Sequence, residues 1–254
     1  MTEINWDEVA AAVWRPNQQA LRAIHNIDPI SLDVLIGVDR QKQALIENTT
    51  RFVNGQLCNN ALLWGSRGTG KSSLVKAVFN QFHDQDLRLI EVFKDDLSYL
   101  HDIVDQIRDL PYYFIIYCDD FAFATNDHSY SSLKTVLEGS IEAAPTNVLL
   151  YATSNRRHLV PQTMKENLDS KVVDGELHLS DAIEEKIALS DRFGLWLSFY
   201  PISQSQYLEI VDSYFNNYQG DRSELHRKAI QFSADRASRS GRTAKQFFNS
   251  YLNE

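Results

Sequence analysis

The sequence predicts an α/β fold in three layers, built on a five-stranded parallel sheet and followed by a small helical domain. Short apolar runs alternate with amphipathic helical stretches as far as Pro201, and only helical patterns follow it. This alternation is typical of a parallel sheet with helices on both faces, because the connection between two parallel strands is usually a helix. The predicted strands cover residues 61–64, 87–92, 113–118, 148–153 and 195–199.

Periodic apolar positions predict the helices. A helical pattern over 9–24 precedes the core, and Asp39 is the expected N-cap of a helix over 40–52. Further helices are expected over 71–82, 97–107, 130–142 and 183–190 in the core, and over 206–218, 224–237 and 243–252 after it. We therefore divide the chain into a helical N-terminal segment (1–34), an α/β core (35–201) and a helical lid domain (202–254). Within the core, Asp174 and Gly175 form a turn signal that predicts a hairpin insertion in the stretch 164–179.

Composition and charge narrow the possible functions. The 254 residues carry a formal net charge of -9, whereas an autonomous nucleic-acid-binding domain usually presents a basic surface. Cys58 and Cys118 lie far apart and form no metal-binding or disulfide pattern, so we expect two reduced thiols. The acidic N-terminus shows no signal peptide, and no apolar run is long enough to span a membrane. A cytoplasmic location is the resulting expectation.

Residues 65–72 match the phosphate-binding pattern G-x-x-x-x-G-K-[ST] between a predicted strand and a predicted helix, a context that favours this motif over a glycine-rich turn with a chance lysine. The glycines let backbone N–H groups converge on a phosphate, and the helix N-terminus adds positive potential. Lys71 is expected to reach the β- and γ-phosphates of ATP, and Ser72 to bind Mg²⁺. Arg67 fills a free position of the motif, where a solvated side chain is the alternative. The predicted nucleotide-binding residues of this segment are Gly65, Ser66, Arg67, Gly68, Thr69, Gly70, Lys71, Ser72 and Ser73.

The third predicted strand ends in two carboxylates, Asp119 and Asp120. Successive side chains of a strand point to opposite faces, so the two carboxylates are expected to diverge. Asp119 is expected to bind Mg²⁺, directly or through its water, and Asp120 to act as a base toward the water that attacks the γ-phosphate. Asp120 has less reach than a Glu at this position. The alternative for the pair is a strand-end cap beside a solvated charge.

From residue 35 to the C-terminus, the order of the motifs resembles that of the AAA+ ATPases. The resemblance implies that Ile36 and Gly37 hold the adenine, and that Asn155 helps to orient the attacking water. It also implies that Arg192 is an arginine finger toward the nucleotide of a neighbouring subunit, and that Arg242 faces the nucleotide of its own subunit. The alternatives are a buried turn for Gly37, a strand-end turn for Asn155 and a local salt bridge for Arg192.

Longer stretches resemble a family of predicted bacterial AAA+ ATPases that is known only as a domain of unknown function. The segments that carry this resemblance are 118–120, 133–139, 151–159, 191–195 and 240–242. In the pattern of that family, an acidic residue stands where this chain has Ala124. Its absence favours ATP binding over rapid hydrolysis.

These motifs together predict an ATP-hydrolysing oligomeric switch or remodeller that uses ATP and Mg²⁺, with ATP bound between subunits. One alternative is a nucleotide-gated binding module with little turnover, which Asp120 and Ala124 motivate. Another is an adaptor or loader for nucleic-acid transactions, which the acidic charge disfavours. A small-molecule kinase shares the loop but normally lacks such a C-terminal helical domain. A homo-oligomer and an unknown protein partner are expected, and a membrane partner is not.

Overall fold

The five predicted strands lie next to one another in a seven-stranded sheet, and two additional strands extend the sheet on one side. The computed structural model describes residues 4–121, 133, 143–155, 171–173, 176–178 and 192–251. In chain order the strands are β1 (Ala11–Arg15), β2 (Ala20–Ile24), β3 (Ala61–Gly65), β4 (Leu87–Glu91), β5 (Tyr113–Cys118), β6 (Val148–Ser154), β7 (Lys171–Val173), β8 (Glu176–His178) and β9 (Leu195–Phe199). The order across the sheet is β2-β1-β4-β5-β6-β3-β9. All neighbouring pairs are parallel except β1 and β2. The three-layer α/β prediction is confirmed, with two more strands than expected.

The helices agree with the sequence pattern except at some ends. They are α1 (Asp39–Val53), α2 (Lys71–Phe82), α3 (Leu100–Asp105), α4 (Gln204–Tyr214), α5 (Arg222–Asp235) and α6 (Gly241–Tyr251). Val38, not Asp39, is the N-cap of α1, and Asp39 is its first helical residue. The helix predicted over 97–107 is shorter, because a 3₁₀ segment, Lys94–Tyr99, takes its first turn. No helix in the described part of the chain is long and apolar enough to cross a membrane.

The helix predicted over 9–24, and with it the helical character of segment 1–34, is wrong, because this stretch forms the antiparallel β1–β2 hairpin. The first four residues of β1 are buried between β2 and β4. Pro16 restricts Arg15 to extended dihedrals, with φ -124° and ψ 98°. An apolar run such as 9–14 suits a helix and a two-sided buried strand equally well. Pairing with β4 decides in favour of the strand, so this segment extends the core sheet.

The stretch between β6 and β9 is described only in part. β7 and β8 pair antiparallel, with Val173 opposite Glu176, and this confirms the hairpin predicted in 164–179. The helices predicted over 130–142 and 183–190 lie outside the described residues, apart from the buried Leu133. Ala124 and residues 156–159 lie outside them as well.

Parallel register brings the carboxyl ends of β3, β5 and β6 together. Cys118 of β5 pairs with Ala152 of β6, and Leu63 of β3 pairs with Thr153 of β6. β5 is buried from Phe114 to Cys118, as a central strand covered on both faces should be. The residues that follow these three strands therefore meet at one edge of the sheet.

The helices α4, α5 and α6 pack around an apolar cluster of their own, centred on Tyr207, Leu225 and Phe247. A capping box starts α4: the Ser203 hydroxyl accepts the N–H of Gln206, and the Gln206 side chain accepts the N–H of Ser203. The predicted boundary between residues 201 and 202 falls in the connection between β9 and α4. Its role as a domain boundary stays a prediction, as does the boundary between residues 34 and 35.

Arg88 ties the N-terminal segment to the core from a buried position, where only 8% of the residue is exposed. Its Nε donates to the carbonyl oxygen of Trp6 at 2.9 Å, and its Nη1 donates to those of His83 at 3.3 Å and Leu87 at 3.1 Å. The guanidinium carbon lies 4.3 Å from the centre of the Tyr112 ring. These contacts hold the segment that leads into β1.

Replacing Arg88 with Met keeps an apolar stem but removes these donors. We expect Arg88→Met to lower the free energy of unfolding by about 2–3 kcal/mol, because carbonyl groups lose a charged donor and stay buried. Urea denaturation at pH 7 measures this loss. Arg51→Met, at an exposed position of α1, is the matched control, with an expected change below about 0.5 kcal/mol. Equal losses in the two variants would contradict a tethering role for Arg88.

Candidate functional site

A cleft of about 750 Å³ opens at the carboxyl end of the sheet, between the core and the helices α4 and α6. It gathers most of the residues that the sequence predicts for the site. Those that line it are Ile36, Arg67, Gly68, Thr69, Gly70, Lys71, Ser72, Ser73, Asp119, Asp120, Asn155 and Arg242. Gly37, Gly65, Ser66 and Arg192 have other positions.

Glycine is required where the phosphate-binding loop leaves β3. Gly65 has φ 133°, and a Cβ there would lie 1.9 Å from the carbonyl oxygen of Phe199 in β9. The N–H of Ser66 donates to the same oxygen at 3.0 Å. Gly65 and Ser66 therefore fix the start of the loop against β9 and do not face the cleft. Gly68 and Gly70, with φ 74° and 95°, complete the turn into α2.

Lys71 is the first residue of α2, and its side chain folds back over the loop. Nζ donates to Gly65 O at 2.9 Å, to Ser66 O at 2.7 Å and to Asn155 Oδ1 at 3.2 Å. Only 6% of Lys71 is exposed. This burial lowers the pKa of the amine, and the Asp119 carboxylate opposes the effect. The ammonium group thus lies beside a helix N-terminus, where backbone N–H groups attract anions.

Asp119 receives hydrogen bonds from two hydroxyl groups. Ser72 Oγ donates to Asp119 Oδ1 at 2.8 Å, and Thr153 Oγ1 donates to the same oxygen. Burial raises the pKa of this carboxyl, but the hydrogen bonds from Thr153 and Ser72 outweigh burial, and the pKa lies below its usual value. Asp119 is therefore an ionised carboxylate at neutral pH.

Ser72 and Asp119 fit the ligand preference of Mg²⁺. This ion binds oxygen ligands at about 2.0–2.1 Å in octahedral geometry, which places adjacent ligand oxygens about 2.9 Å apart. The 2.8 Å between Ser72 Oγ and Asp119 Oδ1 matches that spacing. The described residues contain no group of three or more His, Cys, Asp or Glu side chains that could hold a metal ion. Substrate oxygens and water would therefore complete the ligand set, as is usual for Mg²⁺.

Asp120 and Asn155 form a pair beside this carboxylate. Asn155 Nδ2 donates to Asp120 Oδ1 at 2.5 Å. Asp120 has a left-handed backbone, with φ 52°, and its N–H donates to Thr153 Oγ1 at 3.1 Å. Because Asn155 Oδ1 also accepts from Lys71, hydrogen bonds run from Lys71 through Asn155 to Asp120. The carboxylates of Asp119 and Asp120 bond different side chains, but both residues lie in the turn after β5 and line the same cleft, so the expected divergence by strand alternation does not apply.

At Gly37 the backbone of the core lies close to the side chain of Gln206 in α4. Its φ is 76°, and a Cβ there would lie 2.6 Å from Nε2 of Gln206. Its neighbour Ile36 lines the cleft and also packs against the apolar cluster of α4–α6. Of the two residues assigned to the adenine, Ile36 therefore faces the cleft and Gly37 shapes the turn behind it.

The N-terminus of α6 contacts the phosphate-binding loop directly. The N–H of Gly241 donates to Gly68 O at 3.2 Å. A Cβ on Gly68 would lie 2.7 Å from Cβ of Ser240, so this approach also requires glycine. Arg242 follows on the first turn of α6 and lines the cleft, as the sequence predicts for an arginine that faces the site of its own subunit.

Arg192 lies at the other end of the sheet. It lines a cavity of about 190 Å³ beside residues 59–60, which precede β3, and Val148, which begins β6. Phe193 is buried with its ring centre 6.1 Å from that of Phe121, and this contact anchors the segment. Arg192 is therefore remote from the cleft of its own chain.

Thr153 is the residue of this site that motif reading misses. It is 2% exposed, and its hydroxyl bonds both Asp119 and the N–H of Asp120. Strand register was the signal that would have found it: Thr153 follows Ala152, which pairs with Cys118, so it lies opposite the first carboxylate after β5. Other residues outside the motifs also line the cleft, among them Asp28, Lys76, Tyr214 and Lys245.

Comparisons with known proteins agree with this architecture. The model of a family described as "Protein of unknown function (DUF815)" matches residues 7–254, and no curated protein matches. A structure of a RuvB variant from Thermotoga maritima is 14% identical with a TM-score of 0.51, over 87% of this chain and 72% of that chain. The Aeropyrum pernix Orc1 protein in complex with DNA is 17% identical with a TM-score of 0.57, over 84% of this chain and 58% of that chain. Both neighbours are AAA+ P-loop ATPases, and the likeness shows that this chain has the AAA+ fold.

Thr153→Val removes the hydroxyl that joins the two aspartates. We expect the free energy of unfolding to fall by about 1–2 kcal/mol at pH 7, because the ionised Asp119 loses a donor and the N–H of Asp120 loses its acceptor. The pKa of Asp119 is lowered in the folded protein. Its bonds therefore stabilise the fold above the unfolded pKa of about 3.9, and this stabilisation is lost as the pH falls through the folded value. The deficit should shrink on acidification, which urea denaturation measures at pH 7 and at the lowest pH where the protein stays folded.

Thr153→Ser keeps the hydroxyl and is the matched control. Its loss should stay near the cost of one buried methyl group, about 1 kcal/mol, with no dependence on pH. A deficit of Thr153→Val that is equal at both pH values would show that packing, and not the bond to Asp119, is responsible.

Proposed function

The chain belongs to the DUF815 family, described as a protein of unknown function, and we propose that it is a Mg²⁺-dependent AAA+ ATPase that binds ATP between the subunits of an oligomer. The observation that carries this proposal is the meeting of the Lys71 ammonium group, the Asp119 carboxylate and the Asn155 amide in one cleft. Phosphoryl transfer needs a cation at the transferred phosphate, a metal ligand and a group that orients water. The three side chains supply one of each.

The loop and α2 would bind the phosphates. The backbone N–H groups of 68–72 and the positive end of α2 provide an anion site. Lys71 would exchange its bonds to Gly65 O and Ser66 O for bonds to the β- and γ-phosphate oxygens. The cost of this exchange is small, because the ammonium group keeps charge-assisted hydrogen bonds throughout.

Ser72 and Asp119 would hold Mg²⁺. When bound, this ion neutralises charge on the β- and γ-phosphate oxygens. Thr153 would keep the Asp119 carboxylate ionised and turned toward Ser72 through its hydrogen bond.

Asp120 and Asn155 would orient the attacking water, and Asp120 would take its proton as general base. Their mutual hydrogen bond keeps both polar groups on the same side of the cleft as Lys71. The backbone of Asp120 has a left-handed conformation, and the bond from its N–H to Thr153 holds it there. This conformation would bring the Asp120 side chain, which is shorter than that of Glu, to Asn155.

The two arginines would act on different nucleotides. Arg242 lines the cleft of its own chain and would contact its phosphates. Arg192 does not line that cleft, so it would reach a phosphate only in a neighbouring subunit. Guanidinium at that position neutralises charge in the transition state. Because Arg192 would need the nucleotide of another subunit, we propose that the chain forms a homo-oligomer.

A nucleotide-gated module with slow turnover is the second candidate. Asp120 has a short side chain, and Asn155 already occupies one of its oxygens at 2.5 Å. A short base that is held by Asn155 has little freedom to approach the attacking water, so turnover would be slow. ATP would then stabilise one arrangement of core and lid, and that arrangement would recruit a protein partner.

Steady-state ATPase activity against protein concentration tests the proposal. We expect specific activity to rise with concentration, because the site is completed by a second subunit. Lys71→Ala should lose about 10²–10³-fold, as expected when one charge-stabilising donor is removed. Lys94→Ala, at an exposed position outside the cleft, should be unchanged. A near-zero rate with ATP still bound would select the second candidate, and absence of ATP binding would refute both.

Mixing two inactive variants tests the position of Arg192. Arg192→Ala should lose about 10³-fold or more in an oligomer that uses it as a finger. A mixture of Arg192→Ala with Lys71→Ala should regain activity, because the second variant offers its arginine to the intact loop of the first. Arg227→Ala, at an exposed position of α5, controls for loss of an arginine. Full ATPase activity of the Arg192→Ala variant alone would contradict the role of Arg192 as an arginine finger.

A further inference from the structure

A charged pair lines the cleft away from the phosphate-binding loop. Nζ of Lys76, in α2, lies 3.4 Å from Oδ2 of Asp28, and both side chains are partly exposed. Both residues line the cleft. Among the described residues, no hydrogen bond is made to the other carboxylate oxygen of Asp28. The pair therefore offers an acceptor and a donor side by side.

The position of Asp28 is fixed by the backbone of its own segment. Nδ2 of Asn80, one turn beyond Lys76 on α2, donates to Asp28 O and to Ile30 O, each at 2.8 Å. Asn80 thus anchors the segment to α2 on both sides of Pro29. The carboxylate is presented from an anchored backbone, which lowers the entropy lost when a ligand binds it.

The pair lies in the same cleft as the phosphate-binding loop, with Lys76 one helical turn beyond the loop on α2. Lys76 follows Ser72 by four residues, about 6 Å along the axis of α2. Apolar side chains line the same cleft, with Leu35 and Ile36 on the core side and Ile210 and Tyr214 on the lid side. The Tyr214 ring is stacked on Phe248, with ring centres 5.5 Å apart and planes at 26°. An apolar slot with one donor–acceptor pair is the usual form of a site that binds a planar ring and reads its edge.

We propose that Asp28 and Lys76 are the residues that select adenine. This assignment rests on the proposed ATP site. It adds polar groups that recognise the edge of the base to the apolar side chain of Ile36, which would pack against the base. Asp28 accepts the exocyclic amino group of the base, and Lys76 donates to the adjacent ring nitrogen. On the edge that carries N7, adenine presents this donor beside an acceptor, whereas guanine presents two acceptors. A guanine bound by this edge would place its oxygen against the Asp28 carboxylate with no proton between them, and it would therefore bind more weakly.

Dissociation constants for three nucleotides test the assignment. The probes are ATP, GTP and purine riboside triphosphate, which lacks the amino group, measured by calorimetry with Mg²⁺. The wild type should bind ATP about tenfold more tightly than either analogue, the discrimination expected for a partly exposed charged contact. In Asp28→Ala, affinity for ATP should fall about tenfold while affinity for purine riboside triphosphate stays unchanged. Asp28→Asn keeps a neutral acceptor and should recover part of the preference.

Two controls separate base selection from a structural role. Asp33→Asn changes an exposed carboxylate nearby that does not line the cleft and should leave all three constants unchanged. If Asp28→Ala weakens all three nucleotides equally, Asp28 only holds its segment in place and the assignment is wrong. If the wild type binds all three nucleotides equally, or binds GTP more tightly, the selection of adenine by Asp28 and Lys76 is wrong, but the proposed nucleotide site is still supported. Absence of binding by the wild type would refute the proposed function itself.

Discussion

The parallel register of β3, β5 and β6 is the constraint on which the site depends. Each strand is apolar inside the sheet, and each is followed at the same edge by a loop or side chain of the cleft. A shift of one residue in β6 would turn Thr153 to the other face of the sheet and away from Asp119. The apolar packing of the core fixes this register. Burial of the apolar side chains of the sheet therefore determines which polar side chains meet in the cleft.

The second constraint is the close approach of the lid to the phosphate-binding loop. Gly68 accepts the N–H of Gly241 through its carbonyl and has no room for a Cβ beside Ser240. The start of α6 is thus held against the loop itself. A displacement of the loop would therefore also disturb the start of α6, which carries part of the other wall of the cleft.

The sequence predicts the parts of this structure that depend on local pattern. The central strands and α2 follow from apolar runs and a fixed-spacing motif, and their bounds agree closely with the structure. The β1–β2 hairpin was predicted as a helix, because the apolar run in 9–14 acquires its strand geometry only by pairing with β4. No sequence motif marks Thr153, because its contacts are made with Asp119 and Asp120, which follow the neighbouring strand β5. Arg192 lies outside the cleft of its own chain, and its assignment to the nucleotide of a neighbouring subunit stays a prediction of the resemblance.

Neutral polar groups of the fold satisfy the hydrogen bonding of Lys71 and Asp119 in the cleft. Lys71 has three acceptors, and Asp119 has two hydroxyl donors. A half-buried charge without partners costs several kcal/mol, on the order of a whole domain's margin of stability. These contacts therefore stabilise both charges within the fold. Because Asn155 bonds both Lys71 and Asp120, any anion that draws Lys71 away also changes the hydrogen bonding of Asp120. The arrangement thus couples the position of the Lys71 ammonium group to the hydrogen bonding of the Asp120 carboxylate.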